Sequence, residues 1–369
     1  MRIGFDAKRF FLNRTGLGNY SRDLIRILET FDKVNEHVLY TPKIKDTSFI
    51  SFKFSSAIRQ PQNVLAKFFS SIWRSKWVVN DLLKDKIAVY HGLSGEIPTG
   101  LHRAKIKSVV TIHDLIFLKF PELYKPLDRF LYDRKFKYAV SNADKIVAIS
   151  EQTKRDIVSF YGVPEEDVEV IYQGCHPAFK VSKTEEENEK LREKYKLPNR
   201  FILNVGSIEP RKNAFQIVKA IENLDIPLLI IGKQTAYSGE ILKYIEQKGL
   251  QSKVKILQGF TMDELATIYS MATIFVYPSV YEGFGIPIIE ALYSGTPVIT
   301  NKFGVFPEAG GPSSCYIDPE NVEELSTAIS SILSDEQKLQ EMKETGLAYV
   351  QRFNDEALAK QWIELYASI

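Results

Sequence analysis

A chain of 369 residues exceeds the size that one hydrophobic core usually serves, so two domains are expected. Hydrophobic residues make up 44% and charged residues 25%, the balance of a soluble globular protein, which excludes a collagen-like, disordered or low-complexity chain. Net charge is only +2, yet residues 1–179 carry 28 Lys and Arg against 20 Asp and Glu, while residues 180–369 carry 20 against 26. The basic half fits an anionic partner, a lipid diphosphate or an acidic membrane surface; a solvated surface with segregated charge explains it equally well.

The opening "MRIGFDAKRFF" holds no apolar run of signal-peptide length, and nowhere do 18 apolar residues run together. A cytoplasmic chain without a membrane span is therefore expected. Cys175 and Cys315 stand far apart, outside any metal-ligand spacing, and read as reduced thiols. The five histidines are scattered and no Asp-x-Asp pair is well placed, so no metal site is expected. Nucleic acid is not among the expected partners.

The first half alternates short β-rich runs, "RIGFDA", "HVLYT", "IAVYHG", "KSVVTIHD", "KIVAIS" and "VEVIYQG", with helical stretches. After the first run, "GLGNYSRDL" opens a helix with apolar residues at Tyr20, Leu24, Ile25 and Leu28. Gly16 and Gly18 would let backbone approach a phosphate, but Ser21 replaces the third glycine of the dinucleotide fingerprint, which argues against a nicotinamide cofactor. The segment 63–86 mixes Phe68, Phe69, Ile72, Trp73 and Trp77 with basic residues. It reads as a core helix or pocket wall, with an interfacial membrane helix as the alternative. His91 and His113 each end a strand. His91, with Glu96, either lines an acceptor site or stabilises a turn, and Asp114 either joins the site or caps and orients His113.

Residues 180–200, polar and charge-rich, are the best linker candidate, with a surface helix in part of it. Beyond it "FILNVG", "PLLIIG", "VKILQG", "TIFVYPS" and "PVIT" are continuous apolar strands between helical patterns, the mark of a parallel sheet covered on both faces. The expectation is an α/β protein of two Rossmann-like doubly wound domains, 1–179 and 180–354, facing a central cleft. The helix at about 355–369 is expected to pack back on the first domain.

In "PSVYEGFGIPIIEALYSGTPVI", Glu282 and Glu290 bracket a turn, Gly283-Phe284-Gly285, and Pro287 suits the first turn of the following helix. Free amides at such a turn suit phosphate or sugar oxygens, and a carboxylate beside them can accept from two neighbouring hydroxyls. A plain helix-dipole acid is the simpler reading of Glu290 taken alone. Arg211 and Lys212 follow the strand ending in Gly206, where two cations could neutralise a diphosphate; a solvated pair is the commoner meaning of such a dipeptide.

The stretch resembles the E-x7-E signature of retaining, nucleotide-sugar-dependent glycosyltransferases of the GT-B fold, family four. "NVGSIEPRKN", "AISEQTKRDI" with "VIYQG", "TGLGNY" and "TIHDL" resemble other motifs of that family, in order, across nearly the whole chain. The resemblance implies a metal-independent hexosyltransferase without cofactor, first choice mannosyl from GDP-mannose and second a UDP-hexose. Its acceptor would be a glycan or lipid-linked oligosaccharide of bacterial surface polysaccharide, and it would work in the cytoplasm or at the inner face of the plasma membrane. It implies donor binding in the second domain, with Glu290 on ribose, the Gly283–Gly285 amides and Glu282 near the sugar, and Arg211 and Lys212 on the departing diphosphate. It implies that Gly16 and Gly18 belong to a loop touching the diphosphate, that His113 contacts the transferred sugar, and that substitution is front-side. The sequence departs from the family after Glu308, where "EAGGPSSCYIDP" replaces a Gly-Asp-Ala run. A nucleotide-sugar epimerase or hydrolase, and a non-catalytic sugar-nucleotide binding subunit, are the competing readings.

Overall fold

The computed structural model describes residues 1–369. The chain forms two compact units, Met1–Gly174 with Phe353–Ile369, and Cys175–Arg352. No helix is long and apolar enough to cross a membrane.

The first unit carries a seven-stranded sheet: β1 (Arg2–Asp6), β2 (Glu36–Tyr40), β3 (Ala57–Arg59), β4 (Val89–Gly92), β5 (Lys107–Ile112), β6 (Lys145–Ala148) and β7 (Val168–Val170). All neighbouring strands pair in parallel, in the order β3-β2-β1-β4-β5-β6-β7. Six of these strands follow apolar runs visible in the sequence. The exception, β3, is a three-residue edge strand whose side chains are half-buried or exposed, so it has no apolar run to betray it. Against one face pack the helix Gly16–Phe31 and the last helix, Asp355–Ala367, with Trp362, Leu365 and Tyr366 meeting Ile3, Phe5, Leu24 and Leu28. Arg26 fastens the two helices, donating to Asp23 at 2.6 Å and to Asp355 at 2.8 Å.

Segment 63–86 is only half core. Trp73, Val78, Val79 and Leu82 are buried, and Trp73 Nε1 donates to Asp81 at 2.8 Å. On its first helix, Val64–Phe68, the side chains of Val64 and Phe68 are 81% and 80% exposed, with Leu65 beside them. The expectation of a core helix throughout is corrected. Apolar residues adjacent in sequence cannot all face one side of a helix, and here the outward set has no neighbour to cover it.

The second unit holds β8 (Ile202–Val205), β9 (Leu228–Ile231), β10 (Val254–Leu257), β11 (Ile274–Tyr277), β12 (Val298–Asn301) and β13 (Cys315–Ile317), parallel, in the order β10-β9-β8-β11-β12-β13. Here too one edge strand, β13, escapes the sequence reading. It lies in the "SSCYIDP" stretch, where three residues give too short a pattern. Residues 180–200 are no linker. A capping box between Thr184 and Glu187 starts a helix, Glu185–Tyr195, that packs on the helix Met262–Met271. The chain passes between the units at Gly174–Cys175 and at Arg352–Phe353 instead.

Each sheet winds outward from its first strand in one direction and then in the other. The reversal falls between β1 and β4 in the first unit and between β8 and β11 in the second. Open parallel sheets bind ligands outside the carboxyl ends of their strands at such a point.

Candidate active site

At the reversal in the second sheet, backbone pairing of β8 with β11 covers Ile202 with Ile274 and Leu203 with Phe275. Beyond that the Asn204 side chain takes over, donating to Val276 O at 2.8 Å. From these strand ends two loops converge. The one after β8 carries Arg211 and Lys212 on the short turn Pro210–Lys212, closed by Asn213 in the left-handed region (φ 61°), whose Nδ2 donates to Pro319 O at 2.6 Å. The one after β11 carries Glu282. Val280 N donates to Arg211 O at 2.9 Å and joins the two, while Asn301 Nδ2 at the end of β12 donates to Ser279 O at 2.9 Å.

Glu282 Oε1 lies 2.9 Å from each of four donors, Arg211 Nη1, Lys212 Nζ, Tyr277 Oη and Ser279 Oγ. Lys212 Nζ also donates to Tyr277 Oη at 2.9 Å, and Arg211 Nη1 to Tyr281 O. Burial pulls the Glu282 carboxyl upward, but Lys212 and Arg211 outweigh it and hold the group at about 2. Burial pulls Lys212 downward, and Tyr277 and Glu282 reverse that, so the ammonium stays charged. Residues given separate tasks by the sequence thus form one cluster, with two half-buried cations on one carboxylate and a surplus positive charge.

Glycine shapes the cluster by close approach. Gly206 has the Lys212 side chain across it, so that a Cβ would lie 3.0 Å from Lys212 Cδ. Gly232, after β9, passes so near that a Cβ there would sit 1.7 Å from Gly206 O. Gly232, Asn301, Asn213, Tyr277 and Ser279 were not singled out from the sequence. Their roles depend on neighbours that are distant along the chain. Gly285 packs against Ala309, and the helix Ile286–Tyr293 begins after it. Phe284 is buried, so within this turn its backbone, not its ring, is what a ligand could meet. Gly283, between Glu282 and Phe284, is half-buried.

Glu290 stands one turn into that helix. Its Oε2 accepts from Tyr269 Oη at 3.2 Å, and no cation offsets its burial, which pushes the carboxyl up to about 8. Half-buried as Glu282 is, it has no cation beside it.

The remaining sequence candidates lie in the first unit. His113 Nε2 meets Leu93 O at 2.8 Å; a carbonyl only accepts, so Nε2 carries the hydrogen and Nδ1 presents a lone pair. Burial lowers the ring to about 4, so it is neutral at pH 7, with Tyr20 edge-on at 4.5 Å. His91 is 0% exposed, with Nδ1 2.7 Å from Tyr366 Oη and Nε2 2.7 Å from Thr111 Oγ1. Its place as an acceptor-lining side chain is corrected: it fastens the last helix to the sheet. Asp114 accepts from Ile116 N at 3.1 Å, a local turn contact ahead of the helix Ile116–Lys119. Glu96 accepts from Arg74 Nη1 at 2.6 Å and lies 3.3 Å from Lys135 Nζ; burial would raise its carboxyl, but these cations keep it below the ordinary range. Gly18 is sterically required, since a Cβ there would lie 1.9 Å from Asn13 O, whereas one at Gly16 would meet nothing within 4 Å. No group of three or more His, Cys, Asp or Glu is arranged to hold a metal ion.

Comparison with known proteins covers both units. Residues 185–364 match the model for glycosyl transferases group 1, and residues 14–179 match that for glycosyltransferase family 4. The chain is 27% identical over 388 residues to O-antigen chain mannosyltransferase B of Escherichia coli, covering 99% of each. It is 30% identical over 227 residues to O-antigen chain mannosyltransferase RfbU of Salmonella typhimurium, covering 60% of each. Among solved structures, Anabaena Alr3699/HepE in complex with UDP matches with a TM-score of 0.79 at 19% identity, covering 100% of both chains. With both halves matched in order and both sheets of the expected topology, the chain belongs to the group 1, family 4 glycosyltransferases of the GT-B fold.

Proposed function

We propose that this glycosyltransferase moves a hexose, with mannose from GDP-mannose as first choice, to a hydroxyl of a glycan or lipid-linked oligosaccharide in bacterial surface polysaccharide synthesis, retaining the anomeric configuration. The observation that carries the donor assignment is the cluster at the carboxyl ends of β8 and β11: two half-buried cations share one carboxylate. The excess charge suits the diphosphate of a nucleotide sugar without a metal or other cofactor. Glu290, one turn into the adjoining helix, is assigned to the ribose hydroxyls, and the backbone at 283–285 to phosphate oxygens. Glu282 holds Arg211 and Lys212 in place and borders the sugar. His113, neutral and with Nδ1 available as an acceptor, is assigned to a sugar hydroxyl.

In the proposed step the bond from the anomeric carbon to the diphosphate oxygen breaks. A bond to the acceptor oxygen forms on the same face, and the acceptor's proton passes to the leaving phosphate oxygen. Arg211 and Lys212 stabilise the charge that develops there. Mannose is supported by the names of the O-antigen relatives. A UDP-hexose donor is the second reading, supported by the UDP complex of the similar Anabaena structure. The exposed Val64, Leu65 and Phe68 near Lys67 support peripheral contact of this cytoplasmic enzyme with the inner membrane face.

Calorimetric titration of GDP, UDP and ADP into metal-free protein and into Glu290→Ala tests the reading. Selective binding of one diphosphate, lost in the variant, is expected. Absence of binding, or equal binding by the variant, would refute the donor assignment. NMR of the product anomer then decides retention.

A further inference from the structure

The two glutamates of the site are each met by a buried tyrosine. Tyr277 donates to Glu282 Oε1 at 2.9 Å, and Tyr269 donates to Glu290 Oε2 at 3.2 Å. Glu282 would keep its place without its tyrosine, because Arg211, Lys212 and Ser279 bond the same oxygen. Glu290 has no such reserve, since no cation stands beside it. How firmly its carboxyl is held therefore depends on one phenol and on what grips that phenol.

Tyr269 lies near the end of the helix Met262–Met271 and is 0% exposed. Two rings seat it: Phe275 on β11 lies 5.1 Å away, and Phe179 stands edge-on at 5.4 Å. Phe179 belongs to the turn Pro177–Lys180, just after the chain enters the second unit. The Tyr269 backbone is tied as well. Thr296, in the turn after the helix that carries Glu290, donates through Oγ1 to Tyr269 O at 2.6 Å.

Were the ring only filling space, phenylalanine would serve, as it does at positions 179 and 275. A buried hydroxyl costs free energy unless it is paired, and this one is paired with Glu290 alone. Burial and Glu290 push the phenol well above its ordinary value, so it remains a donor. Its donation favours the ionised carboxyl against the opposing pull of burial, and the ionised form is the better acceptor from sugar hydroxyls.

We propose that Tyr269 is a positioning residue for nucleotide binding: its hydroxyl fixes Oε2 of Glu290 and leaves Oε1 to accept from the ribose diol. Being fully buried, Tyr269 acts through Glu290 and not on the ligand. The inference deepens the donor assignment and rests on Glu290 as the ribose acid.

The test is calorimetry with GDP, UDP and ADP, and with the dideoxy counterpart of whichever binds, which lacks both ribose hydroxyls. Tyr269→Phe keeps the ring and should weaken the ribonucleotide by about threefold to tenfold, the worth of one hydrogen bond. The dideoxy counterpart should bind wild type and Tyr269→Phe alike. In a Glu290→Ala background the same substitution should change nothing further. Phe179→Leu loosens the seat of the ring and keeps the hydroxyl, so it should give a smaller loss, again confined to the ribonucleotide. Should Tyr269→Phe fail to fold, Phe179→Leu carries the same test. The inference is overturned if these variants bind as wild type does, if they weaken both nucleotides equally, or if their effect persists without Glu290. In each of those cases a loss of binding in Glu290→Ala leaves the donor reading standing. If no nucleotide binds, or if Glu290→Ala binds as wild type does, the donor reading falls and this inference with it.

Discussion

At the reversal of the first sheet one guanidinium, Arg74, lies between two carboxylates, Asp6 and Glu96. At the reversal of the second, two cations, Arg211 and Lys212, lie on one carboxylate, Glu282. The topology is the same, and both clusters are largely withdrawn from water, so the stoichiometry decides what each can still recognise. In the first, Lys135 lies 3.3 Å from Glu96 and balances the second carboxylate. Where cations are in excess, a net positive charge remains for phosphate. A single fold element used twice thereby carries two different charge balances, and the proposed diphosphate site is the one with the cation majority.

The largest expected effect comes from removing the minority partner. Glu282→Ala leaves two half-buried cations facing each other, and stability should fall by about 3–5 kcal/mol in denaturant unfolding, as for any buried pair broken from one side. Saturating nucleoside diphosphate should return part of that loss, because the ligand supplies the missing anion. Arg74→Ala should cost a similar amount in the first unit, but nucleoside diphosphate should return none of it. If the ligand rescued both variants alike, or neither, the assignment of phosphate to one cluster alone would collapse.

Glu290 sharpens the contrast within the second unit, since it is a carboxylate with no cation at all. Glu290→Ala should lower nucleotide affinity by about tenfold to a hundredfold, the worth of hydrogen bonds to a charged group. Stability should hold or rise, because a desolvated acid is removed. The pH dependence follows from the sign of its shift. The folded value is raised to about 8 from the ordinary 4.5, so the unliganded protein holds the proton through neutrality, and the stability tied to the neutral acid is lost as pH rises through about 8. Ribose hydroxyls prefer the carboxylate. Affinity should therefore climb by up to about tenfold per pH unit below that value and level off above it. In Glu290→Gln this slope should vanish. A slope that survives the substitution would have to come from another group.

Much of this was legible beforehand, for identifiable reasons. Continuous apolar runs such as "FILNVG" and "TIFVYPS" mark strands buried on both faces, and eleven of thirteen strands carry such a run. The two that do not, β3 and β13, are three-residue edge strands. Glu282, Glu290, Arg211 and Lys212 could be found because each lies in a local pattern of glycine, proline and strand end. That Glu282 holds both cations could not be found, because the contact joins loops seventy residues apart. His91 failed for a related reason. A histidine at a strand end looks available until the last helix, 275 residues later, supplies Tyr366 to one nitrogen. Arg74, hidden in a basic-aromatic stretch, became meaningful only beside Asp6 and Glu96.

The smallest expected effect puts the two reversals side by side through one atom each. Tyr277 on β11 and Tyr90 on β4 are both buried tyrosines on the strand that follows the reversal. The Tyr277 hydroxyl accepts from Lys212 and donates to Glu282, both at 2.9 Å, whereas Tyr90 lines a cavity of the first unit. Tyr277→Phe removes a bridge inside a charged cluster and should cost about 1–2 kcal/mol of stability. Tyr90→Phe removes a hydroxyl at a cavity wall rather than inside a charged cluster, so stability should change by less than about 1 kcal/mol. These two measurements together show which hydroxyl the fold depends on. Equal losses in the two phenylalanine variants would mean that the Tyr90 hydroxyl serves the fold after all, and the difference drawn between the filled cluster and the open cavity would shrink to one of size.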